Sequence, residues 1–165
     1  MIKKKICMIG AFATGKTSLV QRHVYSIFSE KYHTTVGVKI DKKQVQVRDQ
    51  QIDLIIWDLH GEDDFQSVRM SYLRGSAGYI YVVDGTRRST LEVALDLRAR
   101  AEADLGPLPC IIALNKRDLQ SQWEITAADM DRLAEQRLLV IETSAKTGYA
   151  VEKAFSALAA LLVEA

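Results

Sequence analysis

Short apolar runs alternate along this chain with stretches in which apolar residues recur at helical spacing. The runs are apolar at nearly every position, which is typical of strands buried on both faces of a parallel sheet. They occupy residues 6–9, 54–57, 79–83, 110–114 and 138–141. Apolar stripes at residues 91–105 and 151–162 predict helices, and a capping-type sequence at Thr126 and Asp129 predicts a third near residues 127–136.

One segment departs from this alternation. Residues 38–47 are followed by the polar residues 48–51 and then by Ile52, which predicts two adjacent antiparallel strands joined by a tight turn. Alternating strands and helices predict a doubly wound α/β sheet, and the single hairpin makes that sheet mixed. In such sheets ligands bind outside the carboxyl ends of the strands.

Composition narrows the class of protein. A length of 165 residues fits one domain, so we expect residues 1–165 to form a single unit. The net charge of +1 gives no reason to expect a nucleic-acid partner. Cys7 and Cys110 each lie in an apolar run, which predicts free, buried thiols in a reducing compartment.

Targeting signals are missing from the sequence. No apolar run approaches the roughly 20 residues that span a bilayer, and no signal peptide precedes the first strand. The chain has no terminal cysteine box, and its second residue is Ile2 instead of the glycine needed for myristoylation. We therefore expect a cytoplasmic protein without an intrinsic membrane anchor.

The first predicted strand runs into a phosphate-binding pattern. Gly10, Gly15, Lys16 and Thr17 match G-x-x-x-x-G-K-[ST], between a strand and a predicted helix as that motif requires. Glycines let main-chain N–H groups curl around phosphates, and the helix amino terminus adds positive potential. Lys16 would bridge the β- and γ-phosphates, and the Thr17 hydroxyl would ligate Mg²⁺.

Two later loops suit a guanine base. Asn115, Lys116 and Asp118 follow the run at 110–114, and the Asp118 carboxylate can accept hydrogen bonds from guanine N1 and its 2-amino group. Adenine would leave that carboxylate buried and unpaired, which is costly. Residues 143–146 follow the last strand, as a second base-contacting loop would.

A third motif ends the strand at residues 54–57. Asp58 can hold Mg²⁺ directly or through water, and the N–H of Gly61 can then sense a γ-phosphate.

In this order and spacing the motifs resemble those of the Ras-like small GTPases. The motif sequences are most similar to those of the Rab branch. The resemblance implies the P-loop NTPase fold of a Ras-like G domain, with a six-stranded mixed sheet, one antiparallel hairpin and five flanking helices. It implies GTP or GDP and Mg²⁺ as ligands. In that family Phe28 would pack against the guanine, Tyr32 would fold over the phosphates, and Thr35 would ligate Mg²⁺ and touch the γ-phosphate.

The same resemblance places Lys116 over the base and aims the Ala145 N–H at the guanine O6. The expected nucleotide contacts are Gly10, Ala13, Thr14, Gly15, Lys16, Thr17, Ser18, Phe28, Tyr32, Thr35, Gly61, Asn115, Lys116, Asp118, Ser144, Ala145 and Lys146. The expected metal ligands are Thr17, Thr35 and Asp58. The expected catalytic residues are Lys16, Thr35, Gly61 and Glu62.

Two residues depart from the family pattern. Glu62 stands where the family usually has a glutamine that orients the attacking water; an ionised Glu62 can only accept hydrogen bonds and adds negative charge near an anionic transition state. Phe12 replaces a small residue, and its ring would either project over the γ-phosphate entrance or turn outward onto the second switch.

The predicted function is a GTP/GDP-controlled molecular switch in signalling or trafficking with slow intrinsic GTP hydrolysis. Its effector would bind residues 29–41 and 62–74, and an exchange factor and an activating protein are implied by the resemblance. The alternatives are a GTP-binding scaffold that hydrolyses essentially nothing and a Ras-like domain from a longer multidomain protein. An ATP-dependent P-loop kinase is disfavoured by Asn115 and Asp118.

Overall fold

The computed structural model describes residues 2–25, 38–59 and 70–164. Its strands are β1 (Ile2–Gly10), β2 (Val38–Val47), β3 (Gln50–Leu59), β4 (Gly78–Asp84), β5 (Cys110–Asn115) and β6 (Leu139–Glu142). Its α-helices are α1 (Lys16–Tyr25), α2 (Met70–Leu73), α3 (Ser89–Leu105), α4 (Ala127–Glu135) and α5 (Val151–Glu164). A 3₁₀ helix covers Arg117–Gln122.

The strands form one six-stranded sheet in the order β2-β3-β1-β4-β5-β6. Within the described ranges only β2 and β3 pair in antiparallel fashion, and the remaining pairs are parallel. This arrangement confirms the predicted mixed α/β sheet with its single hairpin. Because the parallel strands all end at the same edge, every predicted motif in the described residues lies along that edge.

The strand bounds differ from the predicted apolar runs because main-chain pairing with a neighbouring strand can extend a strand over polar residues. β1 begins at Ile2 instead of residue 6, since residues 2–5 pair with residues 52–55 of β3 despite three consecutive lysines. The hairpin turn is also tighter than predicted: β3 begins at Gln50, and Arg48 takes a left-handed φ of 53°.

Alternation along the strands divides the core between the two faces of the sheet. Ile6 and Met8 pack on the side of α1 and α5, where Phe155 is one of the largest fully buried side chains. Cys7 and Ile9 pack on the opposite side, with side chains of α3 and α4. Both helical layers thus shield a sheet whose β4 strand is buried at every position.

The two thiols differ in burial. Cys7 is buried as predicted, but Cys110 is only half-buried because it is the first residue of β5. Burial raises the pKa of both thiols. In the described ranges no helix is long and apolar enough to cross a membrane.

Helix α4 begins as its sequence predicts. The Thr126 hydroxyl accepts a hydrogen bond from the main-chain N–H of Asp129, whose carboxylate accepts one from the N–H of Thr126. Arg88, just before α3, donates to the same carboxylate at 2.7 Å. The hydrogen bond from Arg88, with those from Thr126, lowers the pKa of Asp129 to about 2 and fixes the start of α3 against the start of α4.

Candidate nucleotide-binding site

The loop between β1 and α1 has the backbone shape that its two glycines permit. Gly15 takes a left-handed φ of 102°, and a Cβ there would lie 2.3 Å from Nδ2 of Asn115. A Cβ on Gly10 would lie 2.4 Å from the carbonyl oxygen of Val82 in β4. The glycines therefore allow both the curl of the loop and its close approach to two neighbouring strands.

Lys16 follows this loop as the first residue of α1, and its side chain is buried. Its Nζ donates to the carbonyl oxygens of Gly10 at 2.9 Å and Ala11 at 2.8 Å, and the hydroxyl of Thr14 donates to the Ala11 carbonyl at 2.9 Å. Thr14 is fully buried. These bonds hold an ammonium group inside the loop, where it would meet an incoming phosphate.

Two of the predicted metal ligands are in direct contact. The Thr17 hydroxyl, in the first turn of α1, donates to Oδ2 of Asp58 at the end of β3 over 2.6 Å. Asp58 is buried. A hydroxyl and a carboxylate are both hard oxygen ligands of the kind Mg²⁺ prefers, so these residues fit that ion.

Asn115, the last residue of β5, connects two loops. Its Nδ2 donates to the carbonyl of Thr14 at 3.0 Å, while its Oδ1 accepts from the hydroxyl of Thr143 at 3.1 Å and from the N–H of Ala145 at 3.3 Å. All four residues are buried. Asn115 thus joins the phosphate loop to residues 143–146 by contacts that leave it little freedom to face a base directly.

The side chain predicted to recognise guanine is open to solvent. Asp118 is exposed, and its Oδ1 accepts a 2.7 Å hydrogen bond from the buried hydroxyl of Ser144. The prediction that a bound guanine would cover and pair with this carboxylate stays a prediction. A carboxylate held at one oxygen by Ser144 still has lone pairs that can accept further hydrogen bonds.

Lys116 begins the next loop in a left-handed conformation, with φ of 73°. Its Nζ reaches the carbonyl of Ala13 at 3.2 Å and the buried carboxylate of Asp84 at 2.8 Å. The indole N–H of Trp123 donates to the Lys116 carbonyl at 2.8 Å, and its ring covers Gly85 so closely that a Cβ there would meet it at 2.2 Å. Asp84 and Trp123 lie outside the predicted motifs, and only the fold brings Asp84 to Lys116 and the Trp123 ring to Gly85.

Arg22 is a further residue that the sequence analysis did not identify. From α1 its Nε donates to the carbonyl of Ala145 at 2.8 Å, and its Nη2 donates to the carbonyl of Lys146. Both carbonyls belong to the loop expected to read the base. The guanidinium therefore fixes the main chain of the loop whose Ala145 N–H is expected to read the base.

Replacing Arg22 with Met should accelerate GDP dissociation by about threefold to tenfold, the equivalent of one net hydrogen bond. Methionine keeps an apolar stem but holds neither carbonyl. Stopped-flow release of a fluorescent GDP analogue measures the rate. Arg100→Met, on α3 at the opposite face of the sheet, is the matched control. Equal GDP dissociation rates in the two variants would show that Arg22 does not stabilise the bound nucleotide.

Several predicted residues lie outside the described ranges. They are Phe28, Tyr32, Thr35, Gly61 and Glu62. Ser18 and Phe12 are described and half-buried, in the first turn of α1 and in the phosphate loop respectively. Contact of the Phe12 ring with residues 60–69 falls outside what the structure describes.

Part of each predicted effector segment is described. Ile40 on β2 is 52% exposed and pairs in register with Trp57 on β3. The centres of the Trp57 ring and of the Tyr72 ring in α2 lie 6.3 Å apart. Nζ of Lys5 lies 3.7 Å from the centre of the Trp57 ring. These side chains bring the described ends of residues 29–41 and 62–74 to the same side of the hairpin.

A phosphate loop after the first strand of a mostly parallel sheet, with Thr17 and Asp58 beside it, defines a P-loop nucleotide-binding protein. The sequence profile of the Ras family matches residues 5–164. Human Ras-related protein Rab-4B is 36% identical over 153 residues, which cover 92% of this chain and 72% of the relative. Rab-4 of Dictyostelium discoideum is 35% identical over 153 residues, with 92% and 75% covered. The chain therefore belongs to the Ras family of small GTPases and has a Rab-like sequence.

Proposed function

We propose that this protein is a switch that binds GTP or GDP with Mg²⁺ at the carboxyl edge of the sheet. The observation that carries the proposal is the meeting of three parts along this edge: the loop around Lys16, the Thr17–Asp58 contact and the Asp118–Ser144 pair. Each part suits a different portion of one nucleotide. Residues 1–165 would then act as one G domain.

The residue roles follow from their chemistry. Main-chain N–H groups of residues 13–18 would surround the phosphates, with Lys16 as their counter-charge. Thr17 and Asp58 would hold Mg²⁺, together with Thr35. Mg²⁺, when bound, neutralises charge on the outer phosphates.

The base would lie between Lys116 and the predicted contact Phe28, with Asp118 accepting from its N1 and 2-amino groups. The Ala145 N–H, now 3.3 Å from Oδ1 of Asn115, makes a long hydrogen bond that it can share with the guanine O6. Ser144 and Lys146 would support this loop from either side of Ala145.

The switch itself would be formed by residues 29–41 and 62–74. A γ-phosphate contacting Thr35 and Gly61 would order these segments, and its loss would release them. A protein effector would bind the ordered pair. Exchange and activating proteins would control release and hydrolysis, in keeping with membership of the Ras family.

Hydrolysis is expected to be slow because of Glu62. A carboxylate cannot donate a hydrogen bond toward the γ-phosphate, and its charge opposes the charge developing there. If hydrolysis is negligible, the same site would serve a GTP-binding scaffold, which is the second candidate.

Single-turnover hydrolysis of bound GTP, measured beside the nucleotide content of the purified protein, tests this proposal. Glu62→Gln should hydrolyse GTP faster than the unmodified chain by about 10²-fold, the usual scale for one electrostatic contact in a transition state. Glutamine keeps the length of the side chain, restores a donor and removes the charge.

The matched control is Glu135→Gln, at the end of α4, which should leave the rate unchanged. A Glu62→Gln rate no faster than that of the unmodified chain would show that the carboxylate is not the obstacle. GTP retained through purification, with little GDP, would favour the scaffold over the cycling switch.

A further inference from the structure

A buried carboxylate beside the phosphate loop forms ion pairs with two cationic side chains. Asp84, at the end of β4, is 1% exposed. Its Oδ2 lies 2.8 Å from Nζ of Lys116 and 3.0 Å from Nε of Arg87. Each cation also reaches the phosphate loop, because Lys116 donates to the carbonyl of Ala13 at 3.2 Å and Arg87 donates through Nη2 to the carbonyl of Phe12 at 2.6 Å.

The carboxylate that binds Arg87 is itself held by neighbouring hydrogen bonds. Oδ1 of Asp84 accepts from both the N–H and the hydroxyl of Thr86, at 2.9 Å and 2.7 Å. The hydroxyl of Thr90 accepts from the N–H of Asp84 at 2.9 Å, so the connection from β4 to α3 is closed by its own hydrogen bonds. Burial raises the pKa of Asp84, but the bonds from Lys116, Thr86 and Arg87 together outweigh it and keep the pKa below its usual range.

The two carbonyls that these cations hold determine where two N–H groups point. A trans peptide directs its C=O and the following N–H to opposite sides. Fixing the carbonyl of Phe12 therefore fixes the N–H of Ala13, and fixing the carbonyl of Ala13 fixes the N–H of Thr14. Ala13 also takes a left-handed φ of 59°, a conformation that a non-glycine residue keeps only when its surroundings impose it.

We propose that Arg87 is a positioning residue of the phosphate site, which orients the Ala13 N–H toward the phosphates by binding the Phe12 carbonyl from outside the loop. Arg87 touches no part of the nucleotide in this role. The inference rests on the proposed binding of guanine nucleotides and adds a residue that lies outside the sequence motifs.

The neighbouring arginine provides a control of the same charge. Arg88 binds Asp129 at 2.7 Å and Glu92 at 3.5 Å, so it joins α3 to α4 and has no described bond to the phosphate loop. Arg87→Met and Arg88→Met each remove one guanidinium from adjacent positions and keep an apolar stem. Only the first removes the bond to Phe12.

The test measures the GDP dissociation rate and the dissociation constants of GDP and GMP for the unmodified chain and both variants. A charged hydrogen bond contributes enough for a tenfold or larger effect, and since the Arg87 side chain is 35% exposed we expect the lower end, about tenfold faster GDP release from Arg87→Met. Because GMP lacks the β-phosphate, it has fewer phosphate oxygens for the Ala13 N–H to bind. The affinity of Arg87→Met for GMP should therefore fall by about threefold or less. Arg87→Lys, which keeps a cation with a single point of contact, should give an intermediate rate.

Two results would overturn the inference: equal GDP release from Arg87→Met and Arg88→Met, or an equal loss of GDP and GMP affinity in Arg87→Met. The second pattern would mean that the variant only loosens the fold, and the melting temperature of the nucleotide-free proteins checks this independently. If the unmodified chain bound no guanine nucleotide, the proposed function itself would fail, and this is seen before either variant is compared.

Discussion

Asp118→Asn should exchange guanine for xanthine as the preferred base. An amide keeps one acceptor for the purine N1–H but presents N–H groups where guanine also donates from its 2-amino group, so GDP affinity should fall. Xanthine carries a 2-carbonyl oxygen that the amide can donate to. With about 1.5–3 kcal/mol for the one bond to a charged group that is lost, the loss of GDP affinity is roughly 10–10²-fold. Competition of GDP and XDP against a fluorescent nucleotide measures both changes.

Asp131→Asn is the control for this exchange, since Asp131 is exposed on α4 and has no described bond to residues 115–118 or 143–146. It should bind GDP as the unmodified chain does. The Ser144 hydroxyl can still donate to the new amide oxygen, so the fold of the loop should survive in Asp118→Asn. Unchanged GDP affinity with no gain for XDP would show that Asp118 does not contact the base.

Lys16→Ala should abolish most of the affinity for nucleotides with two or more phosphates. The ammonium group is buried in the loop and is its central positive charge, so we expect GDP and GTP to bind roughly 10²–10⁴-fold more weakly, as expected for two charge-assisted bonds. Equilibrium titration with each nucleotide measures this. Selectivity for guanine over adenine should not change, because the described hydrogen bonds of the Lys16 ammonium group go to Gly10 and Ala11 and not to the base loops.

Lys153→Ala, on the exposed side of α5, removes the same charge without touching the loop and should bind normally. The carbonyls of Gly10 and Ala11 lose a donor in Lys16→Ala, so the melting temperature of the nucleotide-free variant must be recorded beside its affinity. A folded Lys16→Ala protein that binds GDP as well as Lys153→Ala does would exclude Lys16 from the site.

The parts of the site that the sequence predicts are those with local patterns. Gly10, Gly15 and Lys16 lie close together in the sequence. The two glycines are required because a Cβ at either position would clash, and this requirement is visible as a sequence motif. Apolar runs likewise predict the central strands. Bounds were less accurate, because pairing with β3 extends β1 over lysines that no apolar pattern would include.

The residues that support the site were not predictable in the same way. Arg22 contacts the Ala145 loop across 123 residues, and Arg87 contacts Phe12 across 75. Neither arginine is distinguished in the sequence from others that only form ion pairs, such as Arg88. Only the fold brings them to the loops, so their roles emerge from three-dimensional contacts.

A competition experiment tests most directly whether the site selects guanine nucleotides. A fluorescent GDP analogue is bound to the unmodified chain in the presence of Mg²⁺, and unlabelled GDP or ATP is then added as competitor. We expect GDP to displace the analogue at stoichiometric concentrations, while ATP in large excess leaves it bound. Displacement by ATP at concentrations comparable to those of GDP would contradict this expectation.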